Sequence, residues 1–351
     1  MKKKFKFVIL YLVLILVFVP LPNANSITSK HVLNAMANDT YLYKGTIENF
    51  FTHQLINRPE IALNKENKYR FNFYKYCVTY KEFERFLNQM YEHNYVLVDI
   101  YDCYNVGETV TKKDLYLPVG KKPFILSLDD MSFDTKNKGM SDKLILDANG
   151  NIASYTASNN PQIEYDKESI PILETFIKKH PDFSVNNARG IICPTGYNGI
   201  LGYRINKDNP NHLKEIEKVK PLVSKLKQLN YHFASHSFGH IQISENNCET
   251  VLNDTQKYTD EILTVIGKTD IYSYPCGKFT THKTKLQILK NAGYKIFLCV
   301  GLNKQERFED DCLYLKRHCL DGGSMLKYRQ QLLPVIDTEL IYDFETRNQI
   351  Y

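Results

Sequence analysis

From about residue 70 onward, apolar strand-like runs alternate with helical patterns, and this alternation constrains the fold more than any other feature. In VTYKEFERFLNQMYEHN, apolar residues from Phe83 to Met90 recur on one helix face, and the strand-like run YVLVDI follows. KPFILSL is the next strand-like run, and helix-then-strand units continue to CLYLKRH, with Tyr41 to Leu55 as a candidate first strand. Such units favour a parallel sheet with helices outside it. We therefore predict an α/β fold, a distorted (β/α) barrel of about seven strands that resembles a TIM barrel.

The N-terminus has the pattern of an export segment. MKKKFK precedes the apolar run Phe7 to Val19, a Pro-Leu-Pro turn, and the small residues Ala24 and Ser26. This pattern predicts a signal peptide over residues 1–26. An N-terminal membrane anchor is the alternative, although the run is shorter than the ~20 residues that span a bilayer comfortably. In both cases the rest of the chain is secreted or is membrane-anchored outside the cytoplasm.

The remaining chain divides into three predicted parts. A linker over 27–40 leads into the barrel over 41–335, and a C-terminal tail covers 336–351. Between residues 134 and 161 the composition becomes polar and rich in Gly and Asn, which indicates an insertion. Within it, LILDANGNIASYT predicts a hairpin around Asn149-Gly150.

Composition limits the possible partners. The net charge of +6 comes from scattered basic residues, which gives no patch for nucleic acid. The eight cysteines show no close pair, so no disulfide pairing is predicted, and Cys193 and Cys299 in apolar runs are interpreted as buried free thiols. The oligomeric state is unknown at this level.

Polar side chains follow two of the predicted strands. Asp129 and Asp130 follow FILSL, and His236 and His240 follow YHFAS. Because the carboxyl ends of parallel strands share one rim, we expect these side chains to lie close together. Two imidazoles and a carboxylate form a three-ligand set for a divalent metal, with Zn²⁺ as the preferred ion, and leave positions open for water and substrate.

These pairs also allow other interpretations. Zincin peptidases share the His-x-x-x-His spacing, but they need a helix and a Glu after the first His, where this chain has Ser237 and a nearby Gly239. Alone, the aspartate pair also fits a turn with a helix cap, and the histidines fit structural roles. The coincidence of both pairs at strand ends favours the metal site.

These motifs resemble those of the polysaccharide deacetylases, the carbohydrate esterase family with the NodB-homology domain. The family's TFDD motif is matched by SLDD at Ser127 to Asp130, and its H-[ST]-x-x-H motif by His236 to His240. A third motif, R-x-P-[FY]-G, is matched in part by SYPCG at Ser273 to Gly277. The motif order and the strand-end placement agree with the family over roughly residues 45–330.

The resemblance implies metal-dependent removal of acetyl groups from N-acetylated sugars. Asp130, His236 and His240 would hold the metal, and Asp129 would be the catalytic base that accepts a proton from the attacking water.

The third motif and the last strand supply the other implied site residues. Tyr274, Pro275 and Cys276 would line the substrate, with the Cys276 N–H at the oxyanion. His318 near the last strand is the candidate general acid, with a plain exposed histidine as the alternative.

Two departures from the family pattern bear on activity. Ser273 stands where the family motif has the arginine that pairs with the catalytic Asp, and Cys276 stands where it has an aromatic residue. Arg204 or Arg317 would therefore have to orient Asp129 instead. Among the tyrosines, Tyr104, Tyr197, Tyr203 and Tyr274 are candidate sugar platforms, whereas His53 in FFTHQL is interpreted as structural.

The leading functional prediction is a metal-dependent hydrolase that de-N-acetylates an extracellular or cell-wall polysaccharide containing N-acetylglucosamine, such as peptidoglycan. One alternative is a carbohydrate-binding barrel with weakened catalysis, motivated by Ser273 and Cys276. Another is a metal hydrolase of a non-sugar amide, because a metal site of this type does not select the substrate.

Overall fold

The computed structural model describes residues 39–134, 136–158, 160–302 and 306–348. The predicted signal peptide or anchor, residues 1–26, lies outside these ranges, as does nearly all of the predicted linker. In the described part of the chain, no helix is long and apolar enough to cross a membrane.

Seven parallel strands form a nearly closed barrel. In chain order they are β1 (Glu48–Thr52), β2 (Lys122–Asp129), β3 (Ile191–Cys193), β4 (His232–Phe233), β5 (Ile271–Ser273), β6 (Ile296–Val300) and β7 (Cys312–Cys319). Around the barrel the order is β4-β3-β2-β1-β7-β6-β5. A parallel bridge between Ser235 and Tyr272 brings β4 next to β5, where the Ser273 N–H donates to the Ser235 carbonyl at 2.8 Å. The predicted distorted (β/α) barrel is confirmed.

Helices surround the barrel and cover its ends. Tyr80–Glu92 begins at a capping box in which the Thr79 hydroxyl accepts from the Glu82 N–H and the Glu82 carboxylate accepts from the Thr79 N–H. Its buried apolar face includes the positions that the sequence periodicity indicated. The other α-helices are Pro59–Ala62, Arg70–Tyr76, Ile100–Cys103, Ser169–Lys179, His212–Gln228, Cys248–Glu261, Leu263–Ile266, Lys283–Asn291, Gly322–Lys327, Arg329–Leu332, Thr338–Ile341 and Phe344–Asn348. Short 3₁₀ turns cover Pro181–Phe183, Val185–Asn187 and Pro275–Gly277.

Shorter strands decorate the barrel. The hairpin predicted around Asn149-Gly150 is present, because Lys143–Leu146 pairs antiparallel with Ile152–Thr156, and Gln162–Glu164 extends it. The run YVLVDI forms a strand only over Tyr95–Leu97, beside the start of β2. The remaining strands pair as Thr40–Leu42 with Tyr116–Pro118, Tyr104–Val106 with Val110–Lys112, and Glu306–Glu309 with β7.

The barrel interior is apolar near the amino ends of the strands and polar near their carboxyl ends. Side chains alternate along a strand, so every second residue points inward. The apolar part is filled by buried aliphatic residues that include Ile125, Ile191, Ile271, Ile296 and Leu313. Further along the same inward rows, Asp129 on β2 and Arg317 on β7 are also buried. This polar layer is where the candidate site forms.

The segment after residue 335, predicted as a C-terminal tail, contributes two of the helices and packs against the body. The guanidinium of Arg347 is fully buried and donates to both carboxylate oxygens of Glu82 at 2.7 Å. It also donates to the carbonyls of Tyr74 and Cys77. The eight cysteines are free thiols, and Cys193 and Cys299 are buried as expected.

Candidate metal centre and active site

Three side chains suited to binding a metal converge at the carboxyl ends of β2 and β4. Asp130 directly follows β2, and His236 and His240 lie in the loop after β4. The Asp130 Oδ1 lies 3.6 Å from the Nε2 of His236 and 3.6 Å from the Nε2 of His240. One ligand atom from each residue lies within 4.8 Å of the others. The structure thus brings the three predicted ligands to one point.

The contacts of His236 fix which of its ring nitrogens can bind a metal. Its Nδ1 lies 2.9 Å from the Ser273 carbonyl oxygen, which can only accept a hydrogen bond. The proton therefore resides on Nδ1, and Nε2 presents its lone pair toward Asp130 and His240. Burial lowers the pKa of His236 against the raising effect of the two neighbouring aspartates, so the neutral form is favoured. This donor set fits a divalent metal ion.

The loop that carries the two histidines is held by a residue that the sequence did not single out. Ser237 and His240 both have positive φ, at 62° and 53°. The Asp254 carboxylate, from helix Cys248–Glu261, accepts from the Phe238 N–H at 2.9 Å and from the Gly239 N–H at 2.7 Å. Left-handed backbone costs free energy for residues other than glycine, and these two hydrogen bonds offset it.

Asp129 lies beside the three converging side chains in a polar cage inside the barrel. Arg317 donates from Nη1 to Oδ1 at 2.8 Å and from Nη2 to Oδ2 at 2.9 Å. The Ser273 hydroxyl donates to Oδ2 at 3.2 Å and accepts from Arg317. Burial alone would raise the pKa of Asp129, but the Arg317 guanidinium and His236 together hold it well below its usual range. Asp129 is therefore an oriented, ionised carboxylate.

Of the two arginines considered as partners of Asp129, the structure selects Arg317. The Arg204 guanidinium donates instead to the carbonyls of Ser132, Phe133 and Asn198. The small Ser273 side chain forms part of the cage around Arg317 and Asp129, so an arginine from β7 takes the position that the third motif would have supplied from β5.

His53 reaches the site, although its sequence context was interpreted as structural. It follows β1, and its Nδ1 lies 2.8 Å from the Tyr76 carbonyl oxygen, which sets the tautomer as in His236. Its Nε2 lies 4.0 Å from Asp130 Oδ2. The strand-end rule that found the other histidines applies equally to His53, and that signal was present in FFTHQL.

His318 does not reach the site, which corrects its assignment as the general acid. Arg317 and His318 are neighbours on β7 and point to opposite faces of the strand. The His318 Nε2 lies 3.5 Å from a Glu48 carboxylate oxygen, and its ring packs at 5.2 Å from that of Phe50. The side chain is buried between the barrel and the surrounding helices.

Three residues of the third motif, Tyr274, Cys276 and Gly277, line the pocket over the metal ligands. The Tyr274 side chain is buried against Tyr272 and Phe297. Pro275 is buried, and Cys276 is exposed with a φ of 55°. Within the described residues, no hydrogen bond from the Cys276 N–H is found. The N–H groups of Gly277 and Lys278, by contrast, donate to the carbonyls of Tyr274 and Pro275.

A pocket of about 640 Å³ opens over these groups. Asp129, Asp130, both histidines of the loop and His53 line it, together with Cys276 and Tyr76. Of the predicted sugar platforms, Tyr104, Tyr203 and Tyr274 are buried, and only Tyr197 is substantially exposed.

Residues 205–297 match the family model described as polysaccharide deacetylase. No curated protein matches the chain. The Streptococcus pyogenes deacetylase PplD in complex with acetate is similar at 15% identity and TM-score 0.48, covering 83% of this chain and 98% of that one.

Two further solved structures are similar. A de-N-acetylase from Aggregatibacter actinomycetemcomitans has 14% identity and TM-score 0.48, covering 88% of this chain and 100% of that one. IcaB from Ammonifex degensii has 13% identity and TM-score 0.45, covering 86% and 100%. The resemblance predicted from the strand-end motifs is confirmed by the family match, which includes the loop from His236 to His240.

Proposed function

We propose that this chain is a divergent member of the polysaccharide deacetylase family, whose model matches residues 205–297, and that it is a metal-dependent hydrolase of N-acetyl groups on a glycan containing N-acetylglucosamine. The observation that carries the proposal is the convergence of Asp130, His236 and His240 beside an ionised Asp129, in a pocket open to solvent.

The three converging side chains would hold the metal. Two imidazole nitrogens and a carboxylate oxygen suit Zn²⁺, and the Nε2 lone pair of His236 is already directed toward the other two ligand atoms. A divalent ion bound there supplies Lewis acidity, which polarises the acetyl carbonyl and lowers the pKa of water.

Asp129 would act as the base. Its carboxylate accepts the proton of the water that attacks the acetyl carbon, and Arg317 keeps that carboxylate ionised and oriented. The Ser273 hydroxyl fixes Oδ2 from the side of β5.

Two further groups would complete the reaction. His53 acts as the acid when both of its ring nitrogens are protonated: Nδ1–H donates to the Tyr76 carbonyl, and Nε2 gives its proton to the departing amine. The Cys276 N–H, on the pocket lining, donates to the oxyanion of the tetrahedral intermediate. The products are acetate and a free sugar amine.

The basic N-terminus and its apolar run support a location outside the cytoplasm, either secreted or tethered to the membrane. A cell-wall or extracellular glycan is the substrate consistent with that location.

Acetate release tests the proposal directly. The wild-type chain loaded with Zn²⁺ is expected to release acetate from N-acetylglucosamine oligomers, and chelation is expected to abolish this release. Asp129→Asn should retain the metal, measured by elemental analysis, but lose about 10²–10⁴-fold in kcat. His236→Ala should lose both metal and activity.

Asp208→Asn is the matched control, because this carboxylate is exposed and lies outside the pocket. Stoichiometric metal without acetate from any glycan would exclude deacetylation and favour a carbohydrate-binding barrel. Acetate released from simple amides but not from sugars would favour the non-sugar amidase.

A further inference from the structure

A second groove lies beside the metal pocket, and two segments of the chain contribute different residues to each of them. The groove has a volume of about 800 Å³ and lies between residues 60–69 and the loop containing Lys136 and Lys138. On one wall, Tyr69 lines the groove while Tyr76, from the helix that follows, lines the metal pocket. On the other, Lys136 and Lys138 line the groove while Asn137 between them lines the metal pocket. The groove and the metal pocket are therefore neighbouring sites, separated by the loop over residues 136–138.

The walls of this groove are fixed in place by the fold. The Gly139 carbonyl accepts from the N–H groups of Asn57 and Arg58, at 3.1 and 2.9 Å. Gly139 has a φ of 86°, and a Cβ there would lie 2.4 Å from the backbone nitrogen of Ala62. The Asn67 side chain donates to the Ala62 carbonyl at 3.0 Å. The loop with the two lysines is thus clamped to the opposite wall, and the groove is preformed.

The chemistry of the lining fits an acidic carbohydrate. Lys68, Lys136 and Lys138 outnumber the acidic side chains Glu60 and Glu66. For the part of the chain that is described, none of the three lysines has a carboxylate within ion-pair distance, and Lys136 and Lys138 are exposed. Carboxylates accept from sugar hydroxyl groups, so Glu60 and Glu66 suit the neutral parts of the same ligand.

Aromatic rings alternate with basic residues in the segment from Lys68 to Tyr76, which contributes to both linings. In KYRFNFYKY, Lys68 lies 4.8 Å from the Tyr69 ring, Arg70 4.5 Å from the Phe71 ring, and Lys75 4.9 Å from the Tyr76 ring. Phe71 and Tyr76 are exposed. Such rings offer flat apolar faces, and the cations beside them attract anionic substituents.

We propose that this groove, here called the lysine groove, binds the sugars that follow the acetylated one and selects glycans with acidic substituents, carboxylate or phosphate. The proposal rests on the proposed function, because it places the acetylated sugar in the metal pocket. It adds a substrate class, because the metal pocket binds the acetylated sugar while the lysine groove selects for negative charge on the sugars that follow.

Equilibrium binding tests the proposal without catalysis. The full chain carrying Asp129→Asn is titrated into end-labelled oligomers that alternate N-acetylglucosamine with glucuronic acid, and fluorescence anisotropy is measured. The neutral comparison is the same oligomer with its carboxyl groups reduced to alcohols. A third oligomer carries phosphate in place of the carboxylate and distinguishes the two acidic groups.

The acidic oligomers are expected to bind about tenfold more tightly than the neutral one at low salt, and this preference should shrink as ionic strength rises. Lys136→Gln/Lys138→Gln should reduce the ratio to about two. Lys214→Gln/Lys220→Gln is the matched control, with the same charge change at exposed positions on helix His212–Gln228, and should retain the ratio.

Equal binding of acidic and neutral oligomers, or an unchanged ratio in Lys136→Gln/Lys138→Gln, would overturn the lysine groove. Acetate release by the wild-type chain is measured in parallel on the same oligomers and on neutral N-acetylglucosamine oligomers. Charge-dependent binding without acetate release would refute the proposed function alone, whereas acetate release without charge preference would refute the groove alone.

Discussion

Arg317 and Asp129 form a two-point ion pair inside the barrel, with Nη–Oδ distances of 2.8 and 2.9 Å. Both side chains are almost completely buried. The pair is completed by Ser127 and Ser273, whose hydroxyl oxygens each accept from Arg317. A planar guanidinium is suited to this geometry because it meets both carboxylate oxygens at once.

Arg317→Lys should separate orientation from charge. Lysine keeps the positive charge but can meet the carboxylate only as a point charge, so Asp129 loses one of its two fixed contacts. We expect kcat for acetate release to fall about 10- to 100-fold, with KM changing less than about threefold.

Arg329→Lys is the control, because Arg329 forms an ion pair with Glu339 at the surface. Arg317→Leu should be harsher, since an unpaired buried carboxylate destabilises the fold by about 3–5 kcal/mol. A kcat for Arg317→Lys equal to that of the wild type would show that two-point orientation is dispensable.

Asp254→Asn should weaken metal binding, although Asp254 is not one of the proposed metal ligands. An amide offers one acceptor oxygen, whereas the loop presents the N–H groups of both Phe238 and Gly239. The loop should then sample conformations in which His236 and His240 no longer converge. We expect Zn²⁺ affinity, measured by competition with a chromogenic chelator, to fall about tenfold or more.

Asp260→Asn is the matched control, since Asp260 is exposed on the same helix. If both variants bind Zn²⁺ as tightly as the wild type, Asp254 has no role in positioning the loop.

The sequence predicts this fold well because the barrel is built from local signals. Apolar periodicity identifies the strands and helices, and the strand-end rule places Asp130, His236 and His240 on one rim before any coordinates are known. These inferences need only the order of elements along the chain.

The rest of the site depends on strand register and on contacts distant in sequence. Arg317 is 188 positions from Asp129, and only the inward-outward alternation of β7 decides that Arg317 faces the barrel interior and His318 the helices. A register error of one residue exchanges the two, so the sequence alone does not decide which of them faces the site. Asp254 acts on backbone N–H groups, and such contacts leave no residue pattern in the sequence.

His53→Gln and His318→Gln distinguish the two candidate acids. His53 faces Asp130 across the pocket, so we expect His53→Gln to lower kcat by about 100-fold or more. His318 is buried against Glu48, so His318→Gln should lower thermal stability while kcat of the folded protein changes less than about threefold. The reverse pattern would return the acid role to His318.

Glu168 should make stability fall as pH rises. It is fully buried at the start of helix Ser169–Lys179, and burial raises its pKa from 4.5 to about 7 against the lowering effect of hydrogen bonds from Ser169 and Leu55. Because the folded-state pKa lies above the unfolded one, the native state binds more protons between pH 4.5 and 7. The contribution of protonated Glu168 to the free energy of unfolding is therefore complete below pH 4.5 and is lost as pH rises through 7. The loss amounts to about 3 kcal/mol.

Glu168→Gln removes this titration and keeps an acceptor oxygen for the Ser169 N–H. We expect the loss of unfolding free energy between pH 5 and pH 8, measured by urea titration in the presence of chelator, to be about 2–3 kcal/mol smaller in the variant than in the wild type. All other titrating groups are common to the two proteins, so the difference isolates Glu168. Glu217→Gln, at an exposed position on helix His212–Gln228, should show the wild-type pH dependence. Equal pH dependence in Glu168→Gln and the wild type would mean that Glu168 ionises in the folded protein at an ordinary pKa.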